Sequence, residues 1–507
     1  MSDLTTTAAK GTTVFLAQSV FSGFARIVVV MVLTRFLLQA EMGQIAVLGI
    51  IYGFMQFLGA AGLNYAAPLF IPEAESKGEI GRVKGFLRRS VGLVAAVATL
   101  LVLVVLALSP LILATDVLTP ELLYLALAIA PLSSLEAFLD SFLMGRYLVK
   151  QLVIGRIVFE VVRTTAAITL VLLGFGVLGV LLGWLAAELA AFILYSGFSV
   201  RGLPSESTKV DMRPVLVFAV PSLIFQTVDV TIQNTDRVIL LHLTDLSTLG
   251  VYDVLLGLLF LLSFVSLAVS TSLYPLLTRI RQMSSDAGVG HETTSLAVAM
   301  LLRYILILLL PVSMIAALNA GPILLVLFGP SYAQFAGASL SFAMLAVFYS
   351  LWGLTYALHT VLRSMGESRF FWAVGLSVIV IEVVGCWQLT LLFGLLGASV
   401  ARCFYITLLL LTAIVRTRKV GVRVGRLVAK SAVRVGLASV ISAVVVYLVS
   451  PSGLISMLLV VALAMLLLVG LLFLFHEIQA FDFQVARSVL PTHVHGLVNR
   501  IERLYLG

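Results

Sequence analysis

Charge is what this chain most lacks. Asp, Glu, Lys and Arg make up 11% of its 507 residues, where soluble domains run near 25%, and that deficit excludes a cytosolic enzyme. Cysteine is nearly absent too. Cys386 and Cys403 both lie inside apolar runs, where a free thiol behaves as a small hydrophobe. Neither a disulfide framework nor Cys/His metal spacing is available. No polar stretch between apolar runs exceeds about twenty residues, which leaves little room for a folded extramembranous catalytic domain. A short apolar core with a small-residue cleavage site is also missing near Met1, so the first apolar stretch, roughly 12–37, is expected to stay as an anchor.

What is present is apolar: 61% of residues are hydrophobic and the mean hydropathy is +1.15. A bilayer span needs roughly 20 such residues. Polar breaks divide the chain into fourteen spans, at roughly 12–37, 43–70, 90–109, 118–143, 150–173, 176–200, 214–241, 248–278, 295–318, 332–362, 370–392, 396–415, 434–450 and 453–475. These runs are continuous and do not alternate with period two, so a barrel is excluded. The expected fold class is all-α, a polytopic membrane protein of about fourteen helices.

Basic residues alternate with the spans. The termini and one alternating set of loops, with their bordering helix ends, hold 26 of the 32 Lys and Arg residues. The opposite loops hold Glu41, Asp116, Glu121 and Asp245 and no base. The positive-inside rule then places both termini in the cytoplasm of a cell membrane protein. It also means that the net charge of +8 is orientation charge and carries no information about a substrate.

The two halves echo each other. Leu139-Asp140-Ser141-Phe142-Leu143-Met144-Gly145-Arg146 closes span 4, and Leu358-His359-Thr360-Val361-Leu362-Arg363-Ser364-Met365-Gly366 closes span 10, with Asp140 and His359 219 residues apart. Gly176 and Gly179 enter span 6, and Gly394 and Gly397 enter span 12, at an offset of 218. Thr34-Arg35 with Gly43, and Asp236-Arg237 with Gly250-Val251-Tyr252, form a third pair. Six spans repeated in the same orientation make a parallel repeat, whose lobes rock about a central site. The expected divisions are an N-lobe at 1–200, a C-lobe at 201–416, an appendage of two helices at 417–475 and a cytoplasmic or interfacial tail at 476–507.

Ionisable groups inside spans are expensive and mark candidate function. Span 7 carries Ser222, Gln226, Asp229, Gln233, Asp236 and Arg237 within an arc of about 100°. Span 1 carries Gln18, Ser19, Ser22 and Arg26 on a similar stripe, so both helices are expected to line a water-filled cavity. Span 4 adds Ser133, Glu136 and Asp140; span 5 adds Arg156, Glu160 and Arg163. Glu188, Glu382 and Arg402 lie near the middle of their spans. Interhelical ion pairing is the plain alternative for many of these charges. For Arg35, Arg237, Asp253, Arg303 and Asp140, near helix ends, snorkelling is a sufficient expectation. His359 is expected to be a satisfied buried histidine and not a proton relay.

Thr235-Asp236-Arg237-Val238-Ile239-Leu240, Leu249-Gly250-Val251-Tyr252 and Tyr274-Pro275-Leu276 resemble the seventh and eighth helices of polysaccharide flippases. These form the O-antigen-flippase-like branch of the superfamily that also holds multidrug and toxin extruders. Leu327-Phe328-Gly329-Pro330-Ser331-Tyr332, Arg363-Ser364-Met365-Gly366-Glu367-Ser368-Arg369 and the Gly11–Glu73 opening resemble further segments of that branch. The resemblance implies a flippase and not an enzyme, with a polyprenyl-(di)phosphate-linked glycan and membrane lipids as its partners.

That resemblance also implies a cavity arginine at Arg26. Arginine suits phosphate because its planar fork binds two oxygens and stays charged, so Arg26 and Arg163 are the expected phosphate-binding residues. Gln18, Ser22, Glu160, Gln226, Asp229, Gln233 and Asp236 are the expected cavity-lining or coupling residues. No metal, cofactor, catalytic residue or nucleic-acid partner is expected, and a monomer is. Na⁺ or H⁺ are the candidate coupling ions, with membrane potential as the other drive. A multidrug-type cation antiporter is the alternative, and a membrane glycosyltransferase or ligase a more distant one. The 12–13 loop, with its seven bases from Arg416 to Arg434, is expected to orient the last two helices. The stretch 476–507, with Phe481, Val485, Arg487, Val498 and Arg500, is consistent with an interfacial helix.

Overall fold

The computed structural model describes residues 2–260, 262, 290–365, 367–422, 425–449, 451, 453–479, 482–483, 487 and 495–506, and every regular element among them is helical. In chain order these are α1 (Ser2–Phe36), α2 (Gln39–Gly59), α3 (Leu63–Ser76), α4 (Ile80–Leu113), α5 (Pro120–Gly145), α6 (Val149–Leu172), α7 (Gly176–Val200) and α8 (Arg213–Leu243). Then come α9 (Leu246–Phe260), α10 (Gly290–Leu318), α11 (Ala320–Phe328), α12 (Pro330–Ala333), α13 (Ala338–Ser364), α14 (Ser368–Phe393), α15 (Leu395–Lys419), α16 (Gly425–Val449), α17 (Leu454–Leu474) and α18 (His495–Leu506).

Eleven spans among the described residues are long and apolar enough to cross a membrane, α2 and α3 together forming one of them. The other three expected spans have a visible reason for falling short. α6 carries Lys150, Arg156, Glu160 and Arg163. α9 leads into residues outside those described, and most side chains of α14 before Ser377 also lie outside them. The chain is a polytopic helical membrane protein.

Two boundaries differ from the sequence expectation. Span 2 is broken at Ala61 (φ 53°) and Gly62 (φ 73°), because the Ala219 carbonyl of α8 lies where a Cβ on Gly62 would stand. Span 10 begins at Ala338, not near 332. α11 stops at Gly329 (φ 95°), α12 makes a single turn, and Gly337 (φ 80°) starts α13.

The helices form two compact units. The first comprises Met1–Leu261 and Ile379–Ala401. Its core joins Leu63, Ile71, Phe86, Phe138, Phe142 and Tyr195, contributed by α3, α4, α5 and α7. Lipid tails are as apolar as leucine, so helices in a membrane associate through close packing of small residues. Here Gly43 of α2 and Gly250 of α9 meet face to face. A Cβ on Gly43 would strike the Leu246 carbonyl, and one on Gly250 would strike the Gln39 carbonyl and the Gly43 nitrogen. Only glycine at both positions permits this approach.

The connector between α7 and α8 is drawn along α4. Gly81 and Gly85, one turn apart, leave room for the hydroxyl and the carbonyl of Thr208, whose N–H donates to the Gly81 carbonyl at 3.0 Å. Lys84 Nζ donates to the carbonyls of Pro204 (2.8 Å) and Ser205 (2.6 Å), and Arg89 to that of Val210.

The second unit comprises Leu262–Val378 and Arg402–Gly507. α10 packs on α13 and α16, and α17 on α16. Ala438, Ser439, Ser442 and Ala443 give α16 a fully buried small-residue face. Arg303 of α10 is 1% exposed and does not snorkel. Nε reaches Glu477 Oε1 at 2.8 Å, and the two terminal nitrogens reach Asp482 at 2.9 and 2.7 Å. The Tyr304 hydroxyl donates to the same Asp482 at 2.6 Å. The segment after α17 is thereby clamped onto α10.

Among the 12–13 loop bases, Arg416 pairs with Glu367, and Arg434 donates to the His476 carbonyl at 2.7 Å. In the tail, Arg487 pairs with Glu502 of α18, and Tyr505 packs edge-on against Phe473 with centroids 5.0 Å apart. Phe481, Val485 and the Val498 side chain lie outside the described residues.

Candidate functional site

The polar residues of the first unit assemble from α8 outwards. Asp236 is 1% exposed, and its Oδ2 accepts the Tyr252 hydroxyl of α9 at 2.6 Å. The neighbouring Arg237 Nε lies 2.8 Å from Asp253 Oδ1, and its Nη1 donates to Asn234 at 3.0 Å. Two consecutive residues of α8 thus bind two consecutive residues of α9, which gives the Asp-Arg and Val-Tyr-Asp segments a physical reason to occur together. Arg237 and Asp253 pair with each other and do not reach singly for the interface.

A second paired group lies around α5. Asp140 takes a two-pronged contact from Arg156, at 2.9 Å from Nε and 2.8 Å from Nη2, and accepts the Tyr195 hydroxyl at 3.2 Å. Tyr195 packs so closely on α6 that a Cβ on Gly155 would overlap its ring. The charge expected to snorkel at Asp140 is therefore tied to its neighbours. Glu136, one turn away, interacts electrostatically with Glu188, Asp140 and Arg156. Glu188 in α7 is fully buried and accepts a hydrogen bond from the Tyr52 hydroxyl of α2.

Arg26 and Arg163 stand apart from these pairs. Arg26 of α1 lies 5.4 Å over the Phe260 ring of α9. Arg163 of α6 lies 5.2 Å over Trp184 and 5.9 Å over Phe159. Arg156, Arg237 and Arg303 are ion-paired, whereas neither Arg26 nor Arg163 touches a carboxylate among the described residues. Aromatic faces seat both guanidiniums by cation–π attraction, an arrangement that does not itself use their N–H groups.

The two arginines are close enough to interact electrostatically, and Glu160, Arg237 and Asp253 act on Arg26 as well. Arg26 is exposed and Arg163 half-buried. Both guanidiniums would attract an anion placed beside them.

The remaining sequence-predicted residues divide. Glu160 is half-buried within reach of Arg26. Gln18 Nε2 donates to Ser22 Oγ at 2.8 Å, which orders the α1 stripe one turn from Arg26. Gln226 is buried and Gln233 exposed, so the α8 stripe has an inner and an outer edge. The Asp229 side chain and the Tyr274-Pro275-Leu276 segment lie outside the described residues.

Sequence reasoning passed over Tyr52, Trp184 and Phe260, the aromatics that seat the charges. The available signal was an aromatic inside a span that also faces a charged span.

A family model described as polysaccharide biosynthesis protein matches residues 32–337. In fold the chain is similar to the lipid II flippase MurJ in an inward closed conformation, with a TM-score of 0.66 at 12% identity, covering 91% of this chain and 98% of that one. It is also similar to an inward-facing multidrug resistance MATE family transporter of the MOP superfamily, with a TM-score of 0.62 at 11% identity, covering 79% and 94%. A MOP superfamily transporter from Pyrococcus furiosus aligns with a TM-score of 0.52 at 13% identity, covering 82% and 95%. At these identities the likeness is one of fold. No curated protein sequence matches the chain.

Proposed function

Because the chain belongs to the polysaccharide biosynthesis protein family, we propose that it is a flippase for a polyprenyl-(di)phosphate-linked glycan. It carries the sugar and phosphate from the inner to the outer leaflet of the cell membrane by alternating access of lobes 1–200 and 201–416. The lipid tail stays in the bilayer. Both termini lie in the cytoplasm in this reading, which the distribution of bases supports.

One observation supports this reading above the others. Arg26 and Arg163 lie within electrostatic reach of each other and, among the described residues, are seated on rings and not paired with carboxylates. Two repelling cations seated on aromatic faces suit a ligand with two or more anionic oxygens. A cationic substrate would meet the wrong sign there, which disfavours the multidrug antiporter. Membrane potential supplies drive: each charge crossing 100 mV is worth about 2.3 kcal/mol, so an anion of two charges gains about 4.6 kcal/mol on moving out of a negative interior.

The test is transport in proteoliposomes, with a labelled polyprenyl-diphosphate oligosaccharide run beside a fluorescent organic cation. The sugar lipid is expected to cross and the cation to stay. Arg26→Ala and Arg163→Ala are each expected to slow flipping at least tenfold, about the loss of one charge-assisted contact of 1.5–3 kcal/mol. Normal rates in both variants would remove the anion-site assignment.

A further inference from the structure

Glu188 sits in mid-α7 with 0% of its surface exposed. Oε1 accepts the Tyr52 hydroxyl, and Oε2 has no hydrogen-bond partner among the described residues. A buried carboxylate with a bare oxygen is costly to hold as an anion unless something compensates it. α7 packs against α2, α5 and α6. The titratable or charged groups these present to Glu188 are Tyr52, Glu136 and Arg163. Tyr52 donates a hydrogen bond and Arg163 attracts, while Glu136 is a second buried carboxyl that feels the charge of Glu188.

The attraction acts without contact. The Arg163 guanidinium rests on the Trp184 ring, one helical turn before Glu188. The Tyr52 ring tilts against the same indole at 5.4 Å. Trp184 therefore seats both the cation and the phenol that act on Glu188, and Arg163 remains available to a ligand.

We propose that Glu188 is a proton site whose proton accompanies the anion held by Arg163. The inference rests on the anion reading of Arg26 and Arg163. With no anion bound, the field of Arg163 favours the carboxylate. When phosphate oxygens occupy Arg163 that field is cancelled, and the buried carboxylate is left with the Tyr52 hydrogen bond alone. A proton from bulk water or buffer acid then bonds to the bare Oε2, so the loaded site carries one negative charge fewer. Linkage is reciprocal, so lower pH tightens anion binding through this residue.

The experiment uses the purified full-length protein and farnesyl diphosphate as the anionic probe. Calorimetry in buffers of different ionisation heat counts the protons taken up on binding. Wild type is expected to take up more protons than Glu188→Gln. Its Kd is expected to tighten about fivefold or more beyond that of the variant between pH 8.5 and 6, the low end of usual coupling. The probe's own ionisation is common to both proteins and drops out of the comparison. Equal proton counts with parallel pH profiles overturn the proposal.

Should Glu188→Gln not fold, Tyr52→Phe serves instead. With its donor gone the carboxylate holds its proton more firmly, so the pH profile moves to higher pH; an unmoved profile overturns the proposal. If neither protein binds the probe, the anion reading has failed and the link falls with it. The proton site is then judged alone by infrared titration. A protonated-acid carbonyl band present in wild type and missing from Glu188→Gln supports it, and no such band in wild type overturns it.

Discussion

Replacing Arg303 by Met tests the clamp between α10 and the segment after α17. The guanidinium is 1% exposed and its partner Glu477 2%, so the substitution leaves a buried carboxylate whose nearest remaining cation, Arg434, is 3.7 Å away. Breaking one side of a buried pair costs about 3–5 kcal/mol. Each 1.4 kcal/mol is tenfold in an equilibrium, so the clamp is expected to open roughly a hundred to several thousand times more often.

Amide hydrogen exchange in peptides spanning 475–479 reads that opening directly, with the α16–α17 contact as the internal reference. Acid supplies a second reading. Burial would push the Asp482 carboxyl up, but Arg303, Tyr304 and the Gln479 N–H hold it below the usual carboxylate range. A depressed carboxyl contributes stability that is fully present above the unfolded value of about 3.9 and fades as pH falls through the folded one. The wild-type clamp is therefore expected to hold at neutral pH and loosen in acid, while in Arg303→Met that transition is smaller, Tyr304 and the Gln479 N–H alone remaining on Asp482. Exchange within threefold of wild type at pH 7 would refute the reasoning.

Other outcomes follow from the first unit. Gly250→Ala is expected to force α9 off α2 and lower stability by about 1–3 kcal/mol through overpacking, seen as an earlier unfolding transition in detergent, whereas Gly257→Ala, with open space around it, leaves the transition in place. Tyr252→Phe removes the hydroxyl that Asp236 accepts and is expected to cost about 1–3 kcal/mol; Tyr252→Phe with Asp236→Leu recovers part of it, and a double mutant no better than the single would argue against the pairing. Trp184→Leu removes the seat of Arg163 and is expected to weaken farnesyl diphosphate binding severalfold, which calorimetry measures.

Much of the membrane plan is legible from hydropathy, because a span announces itself locally. What escaped the sequence is set by partners far along the chain. The break at Ala61–Gly62 lies inside an unbroken apolar run and is imposed by Ala219, more than 150 residues on. Arg303 near a helix end looks like a snorkelling residue until the segment after α17 returns to it. Asp140 looks the same until Arg156 and Tyr195 close on it. Arg26 and Arg163 stand out in sequence as deep charges on polar stripes. Their aromatic seats do not, since Phe260 and Trp184 read as ordinary membrane residues. The Tyr52–Glu188 contact crosses 136 residues, a separation no periodicity reveals.

The α7–α8 connector has a mechanical consequence. Because Gly81, Lys84 and Arg89 of α4 bind it through its backbone carbonyls and the Thr208 amide, its hold on α4 does not rest on carboxylate pairs, which salt screens readily. It is a taut link and not a slack tether. A tilt of α4 is expected to carry the start of α8 with it through this short connector. Lengthening this connector with flexible residues would uncouple the two helices while leaving every side chain of the polar cluster in place.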